Sequence, residues 1–168
     1  INSKKQSLQK TNSNEVYIKA HKLFHQGDYS SAIKFAFLAL SNSNKKNSTD
    51  ILSFICHTFI SLGNIKYANT IIKQIEIDIN KNANPEQNAH LYKMKGNLEY
   101  NLGNRDNALN FFDKSFTLMI KSNEKYVNEI IYYLSTILLE KKEYHLIPNY
   151  LEKIIHNNDS YSKILYGV

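Results

Sequence analysis

The sequence predicts an all-α fold built from four tandem helical hairpins. Three observations carry this. First, a short turn signature recurs at regular intervals. Second, apolar residues around each signature follow helical spacing. Third, the 168-residue chain holds only two prolines and five glycines, too few breakers for a sheet-rich fold with many turns.

The signature is Gln26-Gly27-Asp28-Tyr29, Leu62-Gly63-Asn64-Ile65 and Leu102-Gly103-Asn104-Arg105. Lys142-Glu143-Tyr144 occupies the same place without a glycine. The anchors at 27, 63, 103 and 142 are spaced by 36, 40 and 39 residues. Glycine closes a helix because a left-handed residue past its end costs nothing without a Cβ. Asp or Asn then caps the next helix through its side-chain oxygen. A stop followed at once by a start is a tight αα-hairpin. The fourth turn, lacking glycine, is expected to turn differently or to be slightly less stable.

The elements follow in order. The first pair covers 14–26 and 29–41, and a polar loop at 42–49 follows it. The second covers 50–62 and 65–80. A short loop at 81–84 leads to Pro85 at a helix start, where its missing N–H is harmless. The third pair covers 85–102 and 105–122, and the fourth 123–141 and 144–157. Pro148 falls in the first turn of that last helix, the only part that tolerates it. The domain reading is a polar extension at 1–13, a repeat domain at 14–157 (14–49, 50–84, 85–122, 123–157), and the start of a further or capping helix at 158–168.

Composition bounds the function. Apolar residues make up 42% of the chain, which excludes a disordered class. The net charge of +6 raises the prospect of an acidic or nucleic-acid partner. The positive residues, however, are scattered in pairs such as Lys45-Lys46 and Lys141-Lys142, with no basic arm. A single cysteine, Cys56, excludes an internal disulfide framework. No apolar run approaches the roughly 20 residues that cross a bilayer.

These repeats resemble the tetratricopeptide family, whose units of about 34 residues pair two antiparallel helices. Repeat one supplies Ala20, Gly27-Asp28-Tyr29, Ala32 and Ala39 at the family's small and turn places. Repeat three supplies Gly96, Gly103-Asn104, Ala108, Phe112 and Ser115. Repeat two keeps Cys56, Gly63-Asn64, Ala68 and Ile72, with Ile75 departing from the last small place. Repeat four keeps Ser135 but carries Ile147 where a small residue belongs. The resemblance covers 14–157 and implies a right-handed α–α superhelix, a solenoid. Repeats longer than the usual unit imply longer helices, as in sensor regions of bacterial transcription regulators and kinases.

The resemblance also implies a concave groove lined by the first helix of each hairpin. Its candidate ligand-binding residues are Tyr17, His21 and His25 with Phe24; Phe54 and His57 with Ser53 and Ser61; His90, Lys93, Asn97 and Asn101 with Met94; and Tyr132 and Thr136 with Tyr133. Amide, imidazole and aromatic groups together suit an extended peptide. Lys93 and Asn97 match one pair of the clamp by which related adaptors hold a chaperone's terminal carboxylate. Tyr17 and Phe54 stand where the rest belongs, so no chaperone partner is expected.

Catalytic and metal chemistry find no constellation. His21 and His25 share a helix face, but a metal needs three or four ligands. Cys56 and His57 are adjacent and point about 100° apart on a helix, so they form no dyad. The glycine turns lack phosphate-loop spacing. The expectation is a non-enzyme without cofactor or metal that binds a protein or peptide, in the sensor or interaction region of a larger bacterial regulator. The groove's occupant could also be a second copy or a segment of the parent chain. A basic helical nucleic-acid-binding module is the alternative.

Overall fold

A computed structural model describes residues 12–43, 45–79, 84–122 and 126–157. They form eight α-helices, with no strand among them: α1 (Ser13–His25), α2 (Tyr29–Ser41), α3 (Lys45–Ser61), α4 (Ile65–Ile79), α5 (Pro85–Asn101), α6 (Arg105–Ser122), α7 (Val127–Glu140) and α8 (Ile147–Asn157). A 3-10 turn at Tyr144–Leu146 precedes α8. No helix among the described residues is long and apolar enough to cross a membrane. The expected helix start beyond Asn157 lies outside the described residues, as does most of the expected N-terminal extension.

The turns are built as their residues dictate. Gly27, Gly63 and Gly103 adopt φ of 80°, 72° and 85°. At the first, the Gly27 N–H donates to the Phe24 carbonyl at 3.0 Å and the Asp28 N–H to the Leu23 carbonyl at 3.0 Å. That pair of bonds satisfies carbonyls the helix leaves open. The Asp28 carboxylate then accepts from the Ser31 N–H at 3.0 Å and starts α2. The fourth turn corrects the expectation of a different geometry. Lys142 takes φ of 61°, its N–H donates to Leu139, and the Glu143 N–H donates to Leu138 at 2.8 Å. The same bonds hold the turn, and they outweigh the local cost of a left-handed non-glycine residue.

The polar stretch at 42–49 is also corrected. Helix α3 begins at Lys45, one turn earlier than expected. The residues from Lys45 onward are helical rather than a loop, and Thr49 is already buried. Helix α7 begins at Val127 rather than 123. Its N-cap, Tyr126, makes no side-chain capping bond.

The chain divides into two compact units, residues 1–64 and 65–168, with the boundary inside the second expected repeat. In the first unit α1 packs on α2, and α2 on α3. Ala20, Ala32, Ala36, Ala39 and Cys56 are fully buried. The Ser13 hydroxyl donates to the Ala39 carbonyl at 2.8 Å, tying the start of α1 to the end of α2.

In the second unit α5 and α6 form the most intimate pair, α4 packs on α5, and α7 and α8 pack on α6. Ala89, Ala108, Phe112, Phe116, Met119, Ile130, Leu134 and Ile137 make its core. The approach of α5 to α6 is set by Gly96, where a Cβ would lie 2.8 Å from the Phe112 ring. Ser115 donates to the Ala89 carbonyl at 2.7 Å across the same pair. Ser135, expected to be buried at the matching place of the last hairpin, is only half-buried. The residue 39 positions after Phe112, Leu151, is itself exposed.

Candidate interaction face

Helical spacing places Tyr17, His21, Phe24 and His25 along one side of α1, and Phe54 and His57 one turn apart on α3. Within the first unit most of these rings interlock. The centroid of His21 lies 4.6 Å from Tyr17 and 4.2 Å from Phe54. Phe24 lies 5.6 Å from Phe54 and 5.2 Å from His57. Most pairs meet edge-on or tilted, the arrangement that ring quadrupoles favour. The Tyr17 hydroxyl donates to the Asp50 carbonyl at 3.4 Å, which fixes its ring against α3. Phe54 is only 7% exposed and forms the floor. Tyr17, His21, Phe24 and His57 are half-buried above it, and His25 is exposed at the edge. Tyr29, 5.1 Å from Phe24, extends the cluster. Sequence reasoning read Tyr29 only as a turn residue; an aromatic directly after a Gly-Asp turn was the available signal.

The candidates of the second unit behave differently. His90, Lys93 and Asn97 are buried, whereas Asn101 and Tyr132 are exposed and Thr136 is half-buried. Lys93 Nζ donates to Glu129 Oε2 at 2.7 Å and sits 4.5 Å from the Tyr126 ring centroid. His90 packs 5.2 Å from that same ring. The lysine is thus neutralised by α7, and Glu129 and Tyr126 are the partners sequence reasoning missed. Asn97 is 1% exposed, and among the described residues neither end of its side-chain amide has a hydrogen-bond partner. The Asn101 amide donates to the Asn97 main-chain carbonyl at 2.8 Å. The Thr136 hydroxyl donates to the Tyr132 carbonyl. Both are helix-internal bonds.

Tyr133 stacks on Phe112 at 4.8 Å. Burial, reinforced by Glu129 and Tyr100, pushes its pKa up to about 12. The Tyr150 hydroxyl donates to Asp113 at 2.9 Å. Burial first, then that carboxylate, raises its pKa too. Neither phenol ionises near neutrality, so both act as packing groups with hydrogen-bonding ends.

Among the described residues no group of three His, Cys, Asp or Glu side chains could hold a metal ion. Cys56 is fully buried. No family model matches the chain, and no curated protein matches it.

Proposed function

We propose that the chain is a protein- or peptide-binding scaffold of tetratricopeptide-like hairpins that stack as a right-handed superhelix. It would serve as the sensor or interaction region of a larger bacterial regulatory protein. The observation that carries the binding reading is the ring cluster on α1 and α3. Its rings are held by one another and by the Tyr17–Asp50 bond, and most remain partly open to solvent. Rigid rings of this kind offer apolar contact at low entropic cost, and imidazoles beside them can pair with a peptide main chain. The repeat reading draws support from four turns of one geometry, three on glycine and one on Lys142.

The test is selection of peptides on the immobilised chain from a random library, followed by calorimetry on the enriched sequences. Tyr17→Ala and His21→Ala are each expected to weaken binding by about 1–3 kcal/mol, while Lys114→Ala on α6 leaves it intact. If enriched peptides bind both ring variants as tightly as the original chain, the α1–α3 face is not the site.

A further inference from the structure

Tyr17, Lys93 and Tyr132 each stand ten residues before a left-handed turn residue, Gly27, Gly103 and Lys142 in that order. The first two are met by later residues at matching offsets. The Tyr17 hydroxyl donates to the Asp50 carbonyl, 33 residues on, and its ring meets Phe54 at 5.6 Å, 37 residues on. Lys93 Nζ sits over the Tyr126 ring, 33 residues on, and pairs with Glu129, 36 residues on. The offset recurs along both helix pairs. His21 and Phe54, Phe24 and His57, and Tyr100 and Tyr133 are ring pairs 33 residues apart, and His90 and Tyr126 are 36 apart. Within each unit, then, the residue that covers a place on one hairpin's first helix follows it by 33 to 37 residues.

Lys93 is 5% exposed, and Tyr17 is half-buried. Tyr132, in the same place relative to its turn, is 67% exposed. The residues 33 and 36 positions after it are Leu165 and Val168. Their chemistry changes in step with the place they answer. Where that place holds a lysine, the later segment supplies a ring and a carboxylate. Where it holds an uncharged ring, the later segment supplies two aliphatic side chains, which gain by covering it. Leu165 and Val168 also share helical spacing with Tyr161 and Ile164, at i, i+3, i+4 and i+7. The chain between is long enough. Tyr126 and Glu129 reach Lys93 from four and seven residues past the end of α6 at Ser122, and Leu165 and Val168 lie eight and eleven past Asn157. A second copy or an unrelated protein would owe nothing to this offset.

We infer that residues 158–168 turn back onto α7 and seat Leu165 and Val168 over Tyr132, withholding that place from other proteins. This inference is independent of the peptide reading, which concerns binding at α1 and α3. Cross-linking within the whole chain tests it. Tyr132→Cys/Val168→Cys is oxidised at about 1 µM, dilute enough that thiols on one chain outcompete thiols on separate chains. A disulfide within one molecule is expected, assigned by peptide mapping; the native Cys56 is fully buried. It should close at least about tenfold faster than in Tyr144→Cys/Val168→Cys, because held thiols react faster than wandering ones. Tyr144 is similarly exposed, at 63%, but lies past the far end of α7. A second measurement needs no new cysteine. Leu165→Ser/Val168→Ser should raise the rate of Tyr132 nitration several-fold and leave that of Tyr144 unchanged, with circular dichroism checking that the helices persist. Equal closure of the two cysteine pairs overturns the inference, since the segment then has no fixed seat. A disulfide that links two molecules at this dilution overturns it in favour of a second copy. Tyr132 nitration that the serine pair leaves unchanged overturns it as well.

Discussion

Replacing Gly96 by alanine sets two effects of opposite sign against each other. A glycine inside α5 costs about 0.5–1 kcal/mol relative to alanine, so on helix propensity alone the change stabilises. The structure places the new methyl 2.8 Å from two atoms of the Phe112 ring. Carbon atoms rest at about 3.5–4.0 Å, so the ring has to retreat by well over half an ångström. The ring has little room to yield, because Phe112 is fully buried and also stacks on Tyr133 at 4.8 Å with planes 6° apart. Overpacking of this kind costs about 1–3 kcal/mol. The clash prevails, and Gly96→Ala is expected to destabilise the second unit by about 1 kcal/mol. For a chain of this size that lowers the melting temperature by about 2–4 °C. Urea unfolding read by circular dichroism gives the free energy. The decisive comparison is the same substitution in a Phe112→Leu background. There the ring is gone, and Gly96→Ala should stabilise by up to about 1 kcal/mol, a coupling of about 2 kcal/mol between the sites. Equal effects in both backgrounds would refute the steric account and leave the small residue without a packing reason.

Three further outcomes follow from the same coordinates. Lys142→Gly removes a left-handed non-glycine residue and should stabilise by about 1 kcal/mol in urea titration, provided the turn keeps its bonds. Asn97→Leu replaces a buried amide that has no hydrogen-bond partner among the described residues by an apolar side chain of similar size, and should raise stability by about 1–2 kcal/mol; a fall would mean the amide is satisfied in solution. Tyr133 binds its proton more tightly in the fold, with a pKa of about 12 against 10.0 unfolded. Its contribution is therefore complete below pH 10 and is lost as pH rises towards 12. Tyr133→Phe keeps the stacked ring and should flatten the alkaline fall in stability measured by urea titrations across that range.

The helix stops and starts were legible because turn chemistry is local. Gly27-Asp28, Gly63-Asn64 and Gly103-Asn104 each state a helix stop and a helix start within two residues. The place of the fourth turn was legible from spacing but its geometry was not, since a lysine driven to positive φ leaves no trace in its side-chain type. The early start of α3 was not legible because a polar helical turn and a loop share a composition. At the candidate site, the ring cluster of α1 and α3 could be read from spacing along each helix. The fate of Lys93 and Asn97 could not. One helix's periodicity says which residues share a face but not which neighbour covers it, and Glu129 stands 36 residues from Lys93.

The four tight turns bear on how the chain acquires its fold. Each joins consecutive helices through bonds between residues only three to five positions apart, such as Gly103 to Tyr100 and Asn104 to Glu99. Closing such a turn takes little loop entropy, so a helical pair can collapse before distant segments arrive. The α5–α6 pair is best equipped to do so first, with Gly96 admitting Phe112 and Ser115 bonding to Ala89. Within the second unit, amide hydrogens of these two helices should exchange most slowly, and those of α8, whose Leu151 lies open, should exchange early. A ribosome delivers α5 and α6 well before α8, so the segment with the strongest reason to fold early is also the first of the two to emerge.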